Sequence, residues 1–418
     1  MIFEDFQDEL GRPGLKFSVI LGTELDRLKL IVTDVQSWGF TEIPKLLSTK
    51  QANELIFGFS DGTRGFIRFE KLPFNRVRFS VRHEDAAKRR AVHEQFWSAL
   101  IEQAKVRLTV EPLVVASAPG KLNLAFKVGA RRADGYHSVV SVYQELSLRE
   151  TVIVSANHEW SLALSGSLPE DRLLSVPLDG NNLAFKAAKK LAELAGIANP
   201  SAAAIGIDKQ VPVAGGMGGG SADAAATLIA LNELWCTGIS RERLIAESGS
   251  LGADVPFALL GGTAIGRGVG EQLEPLESAA KLHWVMIPNQ GGLSTASVFA
   301  RLDELRAQTF TEIDDATHLV DPHYLIDALA AGNPFDVAEF IHNDLEEAAL
   351  DLMPSLAITL QDGMRCGALR AMVSGSGPTV ALLAGSEASA IDIAKQMRLL
   401  GYEAITAESG NLGAKVDH

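Results

Sequence analysis

The sequence predicts an α+β protein in three units: a small α+β domain over residues 1–108, a second domain over 109–280 and a third over 281–418. Three observations carry that reading. A chain of 418 residues is too long for one ordinary core, so two or three domains are expected. Runs that alternate apolar and polar residues recur beside runs with helical spacing in each unit. A glycine-rich stretch, PVAGGMGGGSADAAA over Pro212–Ala226, joins a strand-like segment to a good helix.

In the first unit, 15–21 and 28–35 alternate as strands, 54–59 and 65–72 read as a hairpin about Asp61-Gly62, and 76–82 is a further strand. Glu84–Lys105 reads as an amphipathic helix with Val92, Phe96, Ala99 and Leu100 on one face. A basic strip runs from Arg64 to Arg90. It is either the solvated face of a sheet or a surface for a phosphate-rich or acidic partner, and a docking or self-association role is expected of the unit.

In the second unit, LTVEPLVV (108–115) begins a strand and SAPGKLNLAFKV (117–128) is a strand after a Pro-Gly turn. Further strands are read at 150–156, 160–166 and 203–212. Helices are expected at Asn182–Ala195, capped by Asn181 or Asn182, after Ser221, and at Arg241–Ser248. In the third unit a strand at 283–289 precedes helices at Thr295–Leu305, Tyr324–Ala331, Phe335–Leu350 and Ser355–Gly363. Residues 368–385 read as strand, glycine turn, strand, and Ala388–Leu400 and 402–408 close the unit as helix and strand.

Composition narrows the class of function. Hydrophobic residues make up 47% and charged residues 22% of the chain, the balance of a soluble globular protein. No N-terminal apolar run reads as a signal peptide, and none approaches the roughly twenty residues of a membrane span. A cytoplasmic protein with no membrane partner is expected. Cys236 and Cys366 have no CxxC spacing, which argues against disulfides and structural zinc. The net charge of −14 argues against a nucleic-acid partner.

The glycine stretch has a physical use. Glycine lets backbone N–H groups approach a ligand with no Cβ in the way. The N-terminus of the following helix adds unpaired donors and the positive end of the dipole, so the arrangement suits a phosphate. No Lys precedes Ser221, so it is not a Walker A loop. Asp223, two residues further on, would repel phosphates if it faced them. It is expected either to point away from them or, by preference, to serve as an N-terminal helix acid that stabilises the dipole.

Three other places draw notice. Lys121 and Asn123, two apart in a strand, share a face. An Asp134-Gly135 turn precedes Tyr136 and His137. Asp254 stands before the apolar run VPFALL, where a carboxylate is costly to bury without partners. Each alone also has a bland reading: a surface lysine, a packed Tyr-His pair, a helix cap.

Together they resemble a family. APGKLN, RRADGYHS, DGNNL, IDKQVP, GGGSADAA, LGADVPF and GVGE, in this order and with the SGSGPT loop at 374–379, resemble the GHMP-type small-molecule kinases over about 113–410. Within them the chain is similar to the 4-diphosphocytidyl-2-C-methyl-D-erythritol kinases. No resemblance is recognised for residues 1–108. The resemblance implies a two-domain GHMP kinase fold with a ribosomal-protein-S5-like N-terminal half and a ferredoxin-like C-terminal half. It implies ATP-dependent phosphorylation of the 2-hydroxyl of 4-diphosphocytidyl-2-C-methyl-D-erythritol on the methylerythritol phosphate route to isoprenoids, with Mg2+ brought by ATP chemistry and no protein ligand assigned to it.

The family roles fall on particular residues. Lys121 and Asp254 match the catalytic pair, Asp254 as general base and Lys121 holding the substrate hydroxyl. Pro212, Val213, Ala214, Gly215, Gly216, Met217, Gly218, Gly219, Gly220, Ser221 and Ala222 match the cradle for the ATP phosphates, and Asn182 and Lys209 match positions near the adenosine. Asn123, Tyr136 and His137 match the cytidyl side, with Tyr136 stacking on cytosine and His137 bonding its polar edge. Two alternatives stay open: a homoserine- or mevalonate-kinase-like enzyme, or a non-catalytic binding protein on the same fold. Intact Lys121 and Asp254 argue against the second.

Overall fold

The computed structural model describes residues 4–7, 13–22, 45–51, 54–58, 64–72, 76–84, 94–101 and 113–417, apart from 158, 169, 214, 290 and 310. The chain divides into two compact units, Met1–Leu113 and Val114–His418.

In the first unit, strands β1 (Glu4–Gln7), β2 (Pro13–Gly22), β3 (Lys45–Gln51), β4 (Glu54–Gly58), β5 (Arg64–Leu72) and β6 (Arg76–Glu84) form an antiparallel sheet in the order β1-β2-β6-β5-β4-β3. β4 and β5 pair as the hairpin the sequence predicts, with Phe57 opposite Gly65. Asp61, Gly62 and the strand expected at 28–35 lie outside the described residues. Of the expected long helix, residues 94–101 (α1) are described and helical, and Phe96, Trp97, Leu100 and Ile101 are buried. Of the basic strip only the side chain of Arg68 is described, and it is exposed.

The second unit holds two sheets. β7 (Leu113–Arg131), β8 (His137–Ala156), β9 (Ser161–Gly166), β10 (Ala203–Lys209), β11 (Thr263–Arg267) and β12 (Gln272–Pro275) belong to the first, ordered β12-β11-β8-β10-β9 with β7 also paired to β8. β13 (His283–Ile287), β15 (Arg370–Val373), β16 (Val380–Ala384) and β17 (Ile405–Glu408) make the second, ordered β15-β16-β13-β17. Two short strands, β14 (His342–Asn343) and β18 (Lys415–Val416), pair with β7. The sheets share a core in which Leu122, Leu124 and Val142 pack with Trp284, Met286 and Leu383.

The Pro-Gly turn expected at 119–120 is instead the interior of one long strand, β7. β18 pairs with β7 at Ala116 and Ser117, and β14 resumes pairing at Ala125. Pro119 therefore falls in a gap in that edge of the ladder, where its missing N–H costs little. β8 also exceeds its expected extent, because its first half carries buried polar residues that hide the alternation. Glu145 is one of them, and it accepts from the N–H groups of Gly262 and Gly413 at 2.7 and 3.0 Å and from Arg149 at 2.9 Å.

Helices α2 (Glu170–Leu174), α3 (Leu183–Ala195), α4 (Gly219–Leu234), α5 (Arg241–Ser248) and α6 (Val255–Leu260) accompany the first sheet. Every residue of α4 from Ala222 to Leu231 is buried. Its run of alanines lets it lie close to α3 and β8, as a helix buried on all faces must. Helices α7 (Thr295–Gln308), α8 (Asp315–His318), α9 (His323–Ala331), α10 (Pro334–Phe340), α11 (Glu346–Leu352), α12 (Ser355–Arg365) and α13 (Glu387–Leu399) accompany the second sheet. The single helix expected over Phe335–Leu350 is broken by β14. Asn343 is the reason: its Nδ2 donates to the carbonyls of Val373 and Gly375 at 2.9 and 2.8 Å, and its Oδ1 accepts from Leu345 N at 3.0 Å. Among the described residues no helix is long and apolar enough to cross a membrane.

Candidate active site

The glycine stretch follows β10 and ends as the first turn of α4. Gly218 is the N-cap, at φ 72°, and no side chain caps the helix. The first intrahelical bond at this end runs from Ala222 N to Gly218 O at 2.9 Å. The N–H groups of Gly219, Gly220 and Ser221 thus lie in the orphan positions of a helix N-terminus. Gly216, at φ 75°, lies so close to the C-terminal SGSGPT loop that a Cβ would stand 2.0 Å from the Ser374 carbonyl oxygen. Met217 is buried, and its carbonyl accepts from Lys121 N at 3.0 Å. Ala214 lies outside the described residues.

The uncapped N–H groups of Gly219, Gly220 and Ser221 are the kind of donor set that a phosphate chain requires. The buried Thr379 Oγ1 has no hydrogen-bond partner among the described residues, and a Cβ on Gly215 would lie 2.4 Å from it.

Lys121 and Asp254 meet beside the helix end. Lys121 Nζ is 3.4 Å from Asp254 Oδ2 and donates to Asn123 Oδ1 at 2.7 Å. A Cβ on Gly218 would lie 3.2 Å from Lys121 Cγ and 3.7 Å from Asp254 Oδ2, so the pair flanks the orphan N–H groups. Asp254 is the N-cap of α6, yet its side chain makes no cap bond. That leaves the carboxylate to face Lys121. Asn123 Nδ2 donates to Ser141 Oγ at 2.8 Å, which fixes the amide that holds the lysine.

His137 is buried and its Nε2 lies 2.9 Å from Asp303 Oδ1 of α7. Its ring sits 5.1 Å from that of Phe299. Tyr136 is 66% exposed, so its ring is available to a ligand.

Asn182 is the N-cap of α3: Oδ1 accepts from Ala184 N at 2.8 Å and Nδ2 donates to the Pro177 carbonyl at 2.7 Å. Lys209 is 2% exposed, with Nζ between Glu150 and Asp223. Asp223 is buried beyond the first turn of α4 and bonded to Lys209, so it is not the N-terminal helix acid expected of it.

Residues 182–262 match the family model of the GHMP kinases N terminal domain, and residues 325–403 match that of the GHMP kinases C terminal. A 4-diphosphocytidyl-2-C-methyl-D-erythritol kinase of Pseudarthrobacter chlorophenolicus is 46% identical over 307 residues, 72% of this chain and 94% of that protein. The enzyme of that name from Nocardia farcinica is 46% identical over 305 residues, 72% of this chain and 96% of that protein. The chain belongs to the 4-diphosphocytidyl-2-C-methyl-D-erythritol kinase family.

A crystal structure of 4-(cytidine 5'-diphospho)-2C-methyl-D-erythritol kinase agrees, with TM-score 0.56, 30% identity and coverage of 71% of this chain and 99% of that one. L. major mevalonate kinase, 16% identical with TM-score 0.56 and coverage of 71% and 95%, shares the fold. The chain is thus a small-molecule kinase with the GHMP fold that the motifs predict.

Several residues that the motifs do not mark lie close to these groups. Tyr143 is buried beside Lys121 and Asp254, 5.8 Å from Lys121 Nζ at its ring centroid and stacked on Phe257 at 5.0 Å. Burial first, and the Asp254 charge second, push its phenol well above the ordinary value, so it remains a neutral platform. Asn343, Asp303, Phe299 and Glu150 reach the region from distant segments. Only their contacts reveal them. Among the described residues no group of three or more His, Cys, Asp or Glu is arranged to hold a metal.

Proposed function

We propose that the kinase transfers the γ-phosphoryl group of ATP to the 2-hydroxyl of 4-diphosphocytidyl-2-C-methyl-D-erythritol, on the methylerythritol phosphate route to isoprenoids, as a cytoplasmic enzyme. The observation that carries this reading is the approach of Lys121 to Asp254, 3.4 Å, at the open N-terminus of α4. Phosphoryl transfer asks little covalent chemistry of a protein and much positioning and charge neutralisation. The reacting hydroxyl would sit between Lys121 Nζ and Asp254. Its oxygen bonds to the γ-phosphorus as its proton passes to an Asp254 carboxylate oxygen. The bond from that phosphorus to the β-phosphate oxygen breaks and ADP leaves. The Gly219, Gly220 and Ser221 N–H groups would hold the phosphates, and Thr379 and the SGSGPT loop would close over them.

Mg2+ would arrive with ATP and neutralise phosphate charge. Its ligands would be mainly phosphate oxygens and water rather than a protein cage. Asn182 would contribute near the adenosine through its backbone, since its side chain is committed to the cap.

On the alcohol side, Tyr136 would stack on cytosine, with Phe299 as a second aromatic surface beyond His137. A His137 Nε2–H given to Asp303 leaves Nδ1 as an acceptor, the polarity that the exocyclic amino group of cytosine requires. Residues 109–280 would form the nucleotide-binding half and 281–418 the half that supplies α7 and the SGSGPT loop. Residues 1–108 would serve docking or self-association outside the chemistry.

Phosphorus NMR of the product tests the regiochemistry. C2 of the substrate carries a methyl group and no hydrogen, so a monoester there lacks vicinal coupling to a carbinol proton. A monoester signal split by such a proton would contradict this assignment.

A further inference from the structure

Behind the cradle lies a buried ion cluster that the phosphoryl-transfer chemistry does not use. Lys209 Nζ, at the end of β10, lies 2.6 Å from Glu150 Oε1 and 2.8 Å from Asp223 Oδ2, and none of the three side chains is more than 4% exposed. Glu150 comes from β8, and its Oε2 accepts from Gln210 N at 2.9 Å. Asp223 comes from the second turn of α4. A Cβ on Gly219, the first residue of that helix, would meet Glu150 Oε1 at 3.0 Å. The cluster therefore joins β8, β10 and α4 at the helix end whose N–H groups are open.

Two carboxylates and one ammonium leave an excess negative charge if all are ionised. Burial raises both carboxyls, so the cluster favours holding one proton, while the two carboxylates keep Lys209 charged against the opposing effect of its own burial. Three of the four carboxylate oxygens already accept hydrogen bonds. Burial and the Asp223 charge raise Glu150 further than burial raises Asp223, so the shared proton sits on Glu150 and Asp223 stays the charged partner of Lys209. Asp223 Oδ1 has no hydrogen-bond partner among the described residues. A neutral cluster of this kind can stand behind a phosphate site without repelling it.

We propose that Lys209 is a positioning residue for the phosphate cradle. Held by Glu150 and Asp223, it fixes the start of α4 against β8 and β10, so that the Gly219, Gly220 and Ser221 N–H groups converge on the nucleotide phosphates. Lys209 itself does not touch the nucleotide. The proposal rests on the reading of the cradle as the ATP phosphate site. It gives the Lys209 side chain a role other than contact with the adenosine, because its ammonium is enclosed by protein carboxylates.

The test is titration of the full chain with a non-hydrolysable ATP analogue, alongside steady-state kinetics and thermal melts. Asp223→Asn keeps the shape of the side chain and removes a charge partner of Lys209. It should weaken analogue binding about tenfold, a typical effect for one member of a buried network. KM for the alcohol should stay unchanged, and kcat at saturating ATP should stay close to wild type. Lys209→Met alone leaves two carboxylates buried without a counter-charge and risks unfolding. The combined variant Lys209→Met/Glu150→Gln/Asp223→Asn removes all the charge together, and it should fold and show the same loss.

Normal analogue affinity in folded Asp223→Asn and in the combined variant overturns the proposal. So does an equal rise in KM for both substrates, which marks a general structural effect. Tighter binding in Asp223→Asn also overturns it, since a lysine that leaves the cluster to touch the nucleotide would be freed by that change. Wild type that fails to bind the analogue overturns the cradle reading as well, whereas wild type that binds beside unaffected variants overturns only the role of Lys209.

Discussion

Lys121 Nζ stands 3.4 Å from Asp254 Oδ2 while also donating to Asn123 at 2.7 Å. One ammonium thus links the proposed base to the strand that faces the alcohol. Asp254→Asn removes the proton acceptor and keeps the size of the side chain. Turnover should fall about 10²-fold or more, with KM for ATP nearly unchanged. Normal turnover would show that Asp254 is not the base.

Gly218 adopts φ 72° and sits against Lys121. Gly218→Val places a β-branched side chain in a left-handed conformation, at a cost of about 1–3 kcal/mol. It also pushes on the lysine and crowds the helix end. The melting temperature should drop and KM for ATP should rise. A variant with unchanged ATP kinetics would place the phosphates elsewhere.

Tyr136 is exposed, and its loss should leave stability alone. Tyr136→Ala should raise KM for the cytidyl alcohol by about tenfold, the scale of one lost base-stacking contact, and Tyr136→Phe should restore most of it. Asp303→Ala should also raise KM for the alcohol and relax the preference for cytidine over a uridine analogue, because His137 is no longer held in one tautomer. If either change acted on ATP instead, the two sides of the site would have to be exchanged.

Asp344 governs acid stability near α7. Burial would raise its carboxyl, but hydrogen bonds from His342, the Val128 N–H and His318 outweigh burial and lower it from 3.8 to about 2. Its contribution of roughly 2 kcal/mol is fully present above about pH 4, where the unfolded carboxyl is also ionised, and is lost as pH falls through about 2. Urea unfolding of wild type between about pH 2 and 5 should show this loss, and Asp344→Asn should flatten it. Parallel curves would contradict the assignment.

The second unit carries every residue assigned to the phosphoryl-transfer chemistry. A chain beginning at Leu113 should therefore fold and turn over substrate at a rate close to that of the full protein. A folded truncation without activity, judged by circular dichroism and coupled assay, would bring residues 1–108 into the chemistry.

What was legible in the sequence was local. The cradle announces itself because consecutive glycines run into a helix, and Lys121 and Asn123 because two-residue spacing shares a strand face. Glu150, Lys209 and Asp223 come from three elements, and each reads alone as an ordinary polar residue; only packing turns Asp223 from a helix acid into a lysine partner. The break in the helix expected at Phe335–Leu350 was hidden for the same reason. Asn343 leaves the helix to bond carbonyls of Val373 and Gly375, far along the chain. β8 was legible only in its last third, because buried Gln144 and Glu145 find partners that sequence alternation does not show.

The most direct test is ADP release by the full chain with three alcohols side by side. With 4-diphosphocytidyl-2-C-methyl-D-erythritol, release should be rapid and should fall about 10²-fold or more in Asp254→Asn. Homoserine and mevalonate should give only background. Turnover with homoserine or mevalonate and none with the cytidyl alcohol would contradict the account.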